Sequence, residues 1–192
     1  MARTKEFDEN EVLEKAVELF RRRGFQSTSF SEMTEELGVN RQSLYDTFGD
    51  KQTFFIAALK RYGAKALDQM RRVLASPGAV RPQLQQIFDS AIDYGCSEGG
   101  YGCLMVNSMI EQAVGDAETK ALVTAHTREV EALLGQRLSA AQRAGDLGKD
   151  KDPVTLARFL YHSLLGLGVA SRALGNGHSL KQSARIALQI LD

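Results

Sequence analysis

Arg41, Gln42 and Ser43 follow one another directly after Asn40. An arginine fork pairs with the edge of guanine, a glutamine amide with adenine, and a serine hydroxyl with either. Such side chains read bases only when a helix end presents them together in the major groove. Other reactive side chains are sparse. His126, His162 and His178 are far apart, and Cys96 and Cys103 have no His or Cys partner at zinc spacing. Metal ligands cluster at short intervals, so no metal site is expected. The glycine-rich run Gly95 to Gly102 lacks the Lys-Ser/Thr ending of a phosphate loop and no strand precedes it, so no nucleotide or other cofactor is implied. Cys103 opens a helix, where a thiol pKa can fall. With His126 or His162 nearby it would serve as a nucleophile; without turnover it would sense oxidants or electrophiles. As a small apolar side chain it would simply be buried.

The elements that must present Arg41 to Ser43 are legible around them. Ser29 and Glu32 form a capping box, Met33 and Leu37 share one helical face, and Gly38 ends that helix in the left-handed region. Val39 plugs the turn and Asn40 caps a second helix. Helix, glycine turn, helix is the helix-turn-helix arrangement, whose second helix enters the groove by its N-terminal end. Before it, Asp8 and Glu11 cap a helix with Val12, Leu13, Ala16, Leu19 and Phe20 on its inner face. Arg21-Arg22-Arg23 closes that helix, for dipole compensation or for phosphate contact. Phe25, Phe30, Leu44 and Phe48 complete a small core. After it, Asp50 caps a long helix over 51–75. Lys51 lies in its first turn, where a cation opposes the dipole, and a phosphate contact would explain it.

The stretch GFQSTSFSEMTEELGVNRQSLYDTFGDKQTFF closely resembles the DNA-binding domain of the TetR family of bacterial repressors. Gly24, Thr28, Leu37, Gly38, Val39, Leu44, Tyr45, Phe48 and Lys51 carry the match, without a gap. One position departs: where many members have His between Tyr and Phe, this chain has Asp46-Thr47. Thr47 can still donate to a phosphate, while Asp46 must point away from DNA. The resemblance implies DNA contacts by Thr28, Arg41, Gln42, Ser43, Tyr45, Thr47 and Lys51. It also implies a homodimer on a palindromic operator and a small-molecule effector bound in the helical remainder. The effector cavity is expected to be lined by Tyr62, Phe88, Ile92, Cys103, Met105, Met109, His126, Phe159 and His162, with Tyr94 beside them.

Bulk properties agree with this. At 192 residues with 43% apolar and 25% charged side chains, the chain can build a real core and has an ordinary soluble composition. Its net charge is zero, so DNA affinity must come from local bases at Arg3, Lys5, Arg21 to Arg23, Arg41 and Lys51, with a modest salt dependence. The start MARTKEFDENE has no apolar core, and no apolar run reaches the length of a membrane span. A cytoplasmic location follows, without a disulfide scaffold. Three prolines and no β-type alternation indicate an all-helical fold. Further helices are expected over 81–94, from Cys103 to near Gly115, over 118–144 and 154–174, and from Ser179 to Leu191. The mid-helix Gly166 and Gly168 would admit a partner helix.

These readings combine into an all-α protein. Residues 1–50 form a three-helix helix-turn-helix DNA-binding domain, and residues 51–192 a helical effector-binding and dimerisation domain. Its expected function is a ligand-responsive repressor released from its operator by an effector, with no catalytic residues. The alternatives are a cysteine-based redox or electrophile sensor repressor, a cysteine-dependent enzyme on a helical scaffold, and a ligand-independent architectural DNA binder.

Overall fold

The computed structural model describes residues 7–97, 100–112 and 115–192, and the sites named above at Arg3 and Lys5 lie outside them. Among the described residues there are helices and no strand: α1 (Glu9–Arg23), α2 (Phe30–Leu37), α3 (Arg41–Phe48), α4 (Lys51–Ala75), α5 (Val80–Cys96), α6 (Leu104–Glu111), α7 (Ala117–Arg143), α8 (Pro153–Leu174) and α9 (Gly177–Ala187), ending in a 3-10 turn at Leu188–Leu191. The capping chemistry sets most boundaries. Asp8, Ser29, Asn40, Asp50 and Asp152 each accept from the first-turn amides of α1, α2, α3, α4 and α8. Ser29 and Glu32 bond reciprocally, and Gly38 sits at φ 65°, ψ 31°. The last helix departs from expectation. Asn176 rather than Ser179 is its cap, accepting from the Ser179 amide, so the cap of α9 lies three residues early.

Two apolar cores share one helix. The first joins α1, α2 and α3 through Phe20, Met33 and Leu44 to Phe54, Phe55 and Leu59 of α4, and is closed by Leu104, Met105 and Val123 from α6 and α7. The second takes Leu67 of α4 with Leu84, Phe88, Leu134, Leu138, Leu160 and Leu188. Because α4 runs unbroken for 25 residues, a shift of its C-terminal half is felt in its N-terminal half.

Helix α8 carries two corrections. By length and composition alone it is apolar enough to cross a membrane. Arg158, His162, Ser163 and Arg172 interrupt it, so no continuous apolar run marks it in the sequence. The second correction concerns the glycines. Gly166 faces open space within the chain, but a Cβ at Gly168 would stand 3.1 Å from Val106 Cγ2 and 3.4 Å from Cys103 Cβ. Gly168 therefore lets α8 approach α6 of its own chain. Gly168→Leu should lower the stability of the subunit by about 1–3 kcal/mol through overpacking, read in a urea melt; an unchanged midpoint would contradict this packing.

Candidate nucleic-acid interface and ligand cavity

Helix α3 presents its N-terminal end outward. Leu44 is fully buried against the first core, and that anchor turns Arg41, Gln42, Tyr45 and Asp46 to solvent, with Ser43 and Thr47 partly exposed. The Arg41 guanidinium lies 5.2 Å from the Phe30 ring centroid. The Gln42 amide donates to Asp46 Oδ1 at 2.7 Å. Asp46 thus lies on the same face as Gln42 rather than turned away, and a base must compete with it for that amide.

The remaining residues of the set are placed differently. Thr28 is completely buried and its hydroxyl donates to the Gly24 carbonyl at 2.7 Å. It shapes the α1–α2 turn and its hydroxyl is not offered to solvent. Lys51 has its ammonium 4.2 Å from the Phe25 ring centroid, and burial lowers its pKa. A cation–π contact accounts for a cation in that first turn without a phosphate. Arg22 pairs with Glu36 and Arg23 with Glu32 at 2.8 Å, so these two charges are internally compensated.

Arg21 breaks with its neighbours. It is 1% exposed. Its Nε donates to the Gly102 carbonyl at 3.1 Å, Nη2 to the Tyr94 carbonyl at 2.9 Å and Nη1 to Glu18 at 2.5 Å, and the guanidinium carbon lies 3.7 Å from the Tyr94 ring centroid. Arg172 of α8 donates to the Arg21 carbonyl at 2.9 Å and to that of Tyr101 at 3.1 Å. A residue read as dipole compensation or phosphate contact instead joins α1 to the end of α5, the α5–α6 connection and α8. A run of three arginines shows no difference between buried and exposed members. The glycine-rich connection serves the same junction: Gly102 has φ 71°, and a Cβ there would meet Arg172 Cβ at 2.9 Å and the Gly168 carbonyl at 3.1 Å.

Beside this junction is a cavity of about 470 Å³ lined by parts of α1, α4, α5, α6, α7 and α8. Tyr62, Ile92, Cys103, Met105, His126 and the adjacent Tyr94 line it. Phe88, Met109, Phe159 and His162 do not. Phe88 is fully buried in the second core, and Met109 packs against the first. Phe159 and His162 lie on the exposed side of α8. Helical periodicity told inner from outer poorly there, because α8 is apolar on both sides. Tyr161, Leu164, Leu165 and Gly168 supply its cavity face, and their three- and four-residue spacing was the available signal. Glu14 and Glu18, which reach the cavity from α1, had none.

Burial favours the neutral forms of the cavity's tyrosines and of His126. The Tyr62 hydroxyl donates to Cys103 Sγ at 3.2 Å, and burial, then the thiol, raises its pKa well above the usual phenol. Burial pushes Tyr161 up to about 12 and Tyr94 upward, and lowers His126. Tyr94 donates to Glu18 at 2.8 Å. Cys103 occupies the N-cap position of α6.

Comparison with known proteins places this arrangement. The family model described as bacterial regulatory proteins, tetR family, matches residues 12–58, and the tetracyclin repressor-like C-terminal domain matches residues 80–187. The uncharacterized HTH-type transcriptional regulator YezE of Bacillus subtilis (strain 168) is 32% identical over 194 residues, covering 100% of both chains. The HTH-type transcriptional repressor ComR of Escherichia coli (strain K12) is 26% identical over 187 residues, 96% of this chain and 88% of ComR. Among solved structures, a cysteine-substituted form of the TetR family regulator CifR, complexed with a 26-bp double-strand operator DNA, superposes with a TM-score of 0.86 at 26% identity over 100% of both chains.

Two outcomes follow from the junction and the cavity. Arg21→Met fills the same space but removes the donor to the Gly102 carbonyl, at roughly 1–3 kcal/mol, while the Tyr94 carbonyl keeps the Ser97 hydroxyl at 2.7 Å. Chemical denaturation should show that loss, and a far smaller one for Arg23→Ala; equal effects would deny Arg21 its structural role. The His126 pKa is depressed in the folded chain, so the unfolded chain takes up that proton first. Stability contributed by neutral His126 should therefore fall as pH drops below the unfolded value near ~6.5, by at most about 1.4 kcal/mol per pH unit. His126→Asn should flatten that part of a urea-midpoint profile between neutral and mildly acidic pH.

Proposed function

Because the chain belongs to the tetR family of bacterial regulatory proteins, we propose that it is a ligand-responsive transcriptional repressor that binds a palindromic operator as a homodimer. Residues 1–50 are its DNA-binding part and residues 51–192 its effector-binding and dimerising part, with α4 shared between them. The observation that carries this reading is the pairing of an exposed α3 end, bearing Arg41, Gln42 and Tyr45, with an internal cavity reached by α1 and α4. The CifR structure named above contains operator DNA, which supports the same partner here and hence a cytoplasmic place of action.

In this reading Arg41 and Gln42 read bases, while Ser43, Tyr45, Thr47 and Lys51 supply the remaining contacts. Thr28 supports the turn behind them. Dimerisation falls to the outer faces of α8 and α9. Phe159, His162, Gly166 and Val169 recur there at three and four, and Ile186 and Ile190 are exposed beside them. That exposed apolar stripe is suited to a two-fold, self-complementary contact. Effector binding shifts a population between two arrangements. Movement passes through α4 and through Arg21, whose partners include the cavity residues Glu18 and Tyr94. Since half-sites lie about 34–36 Å apart, a small change in the separation of the two α3 helices abolishes joint docking.

A second reading rests on Cys103. Its thiol lines the cavity at the N-cap position of α6 and accepts from Tyr62. Addition of that thiol to an electrophile would form a carbon–sulfur bond inside the cavity, with the thiol proton passing to the adduct, and release the operator.

Gel shifts on the promoter beside the protein's own gene test these assignments. Arg41→Ala or Gln42→Ala should each cost about 1–3 kcal/mol on the operator and relax preference at one base per half-site. Equal loss on random DNA would leave them only backbone contacts. Lys51→Ala should weaken all sequences alike and reduce the salt slope by about one unit; an unaltered slope would leave Lys51 to its Phe25 contact. Cys103→Ser should retain DNA binding, and release by electrophiles that persists in this variant would remove the thiol from sensing.

A further inference from the structure

The charges on the cavity wall are gathered at one end and paired there. Glu14, Glu18, Arg61 and Lys65 all stand at the α1 side. Arg61 Nε donates to Glu14 at 2.9 Å and Lys65 Nζ at 3.0 Å, while Glu18 accepts from Arg21 at 2.5 Å and from Tyr94 at 2.8 Å. Each of these groups thus has an ion-pair partner before any ligand arrives, Arg61 and Lys65 sharing Glu14 and Glu18 taking Arg21. Deeper in, the wall is Leu67, Met70, Ile92, Met105, Leu164 and Leu165. A formal charge carried past the rim would lose its water and meet only counter-charges already paired, Arg21 with Glu18 and Glu129 with Arg71, which is costly.

Away from the rim charges the polar groups are few: the hydroxyls of Tyr62, Tyr161 and Ser90, the Gln69 amide, the Cys103 thiol and the His126 ring. One of them is poorly served. The Tyr62 hydroxyl is a good donor, and its partner is sulfur, a weak acceptor. An oxygen offered by a ligand would be a better partner, and the tyrosine would exchange one bond for a stronger one.

Building on the reading of this cavity as the effector site, we propose that it takes an uncharged, mainly apolar molecule bearing one acceptor oxygen, which receives the Tyr62 hydroxyl in place of Cys103. The volume of about 470 Å³ is in the range of small-ligand sites, roughly 300–1,000 Å³. Specificity within this class comes from shape against the apolar wall and from the placement of that oxygen. The paired rim favours neither anions nor cations, because every charge there already has an ion-pair partner.

Two matched fluorescence titrations on the full chain, without DNA, test both halves. N-phenylnaphthylamine and its ring-sulfonated analogue share one skeleton and differ by a negative charge. The neutral dye should bind at least about tenfold more tightly, since the sulfonate must be desolvated without an unpaired counter-charge. Met70→Trp, which places an indole in the cavity, should weaken it, with circular dichroism confirming the fold. For the acceptor, a neutral dimethylaminonaphthyl ketone dye should bind Tyr62→Phe about two- to tenfold more weakly than the unaltered chain, the worth of one hydrogen bond. The hydrocarbon-like amine should be nearly indifferent to that change. Equal or tighter binding of the sulfonate overturns the uncharged class, and ketone binding unaffected by Tyr62→Phe overturns the acceptor. Repeating the operator gel shift with saturating neutral dye addresses the effector reading separately. An unchanged DNA complex counts against that reading while the ligand class of the cavity stands on the titrations.

Discussion

A guanidinium buried between two halves of a protein must satisfy its donors or cost the fold several kcal/mol. Arg21 meets that demand with groups that α1 alone cannot supply: the carbonyl of Tyr94 at the end of α5 and that of Gly102 before α6. The chain is thereby obliged to bring those two carbonyls to one point beside α1. Gly102 at positive φ and Gly168 against Val106 and Cys103 make room for the approach, and Arg172 ties α8 to the same junction. Glu111 adds a further tie, accepting from the Phe25 amide at 2.9 Å. The geometry of the α1–α2–α3 unit relative to the cavity depends on this small cluster of polar bonds as much as on the apolar cores.

The two cores explain why such a junction can be responsive. Both include α4, so neither can shift without moving a helix that the other also packs against. Apolar contacts tolerate sliding, whereas the bonds to Arg21 are directional and have few acceptable arrangements. A fold that combines a sliding contact with a directional latch has discrete states for a ligand to choose between. Tyr94 belongs to both systems, since its ring lies under Arg21 and faces the cavity while its hydroxyl holds Glu18.

The helix-turn-helix could be read residue by residue because its determinants are local. The Ser29–Glu32 box, Gly38, Asn40 and Asp50 act within one turn of where they stand, and each takes the predicted place. The same locality gave the 25-residue span of α4 and the Asp152-Pro153 start of α8. Where two local signals competed, sequence reading failed: Asn176 and Ser179 are both good caps, and packing of Leu180 and Ala184 against the second core goes with the earlier start.

The cavity shows the limit. Tyr62, Ile92, Cys103, Met105 and His126 come together as expected, but Phe88 turns into the core and Phe159 and His162 turn outward. Periodicity identifies a helical face; it does not say whether that face meets a core, a cavity or a partner subunit. The fate of the arginines depends on the same missing information. By itself the sequence determined the helical class, the helix boundaries set by caps, and the residues at the tip of α3, because those follow from interactions a few residues long. Only the tertiary structure decided that Arg21 is buried while Arg22 and Arg23 are not, that Gly168 serves its own chain, and that Lys51 sits over Phe25. Each of those outcomes depends on which distant surface the fold brings within a few ångströms, and no short-range pattern carries that.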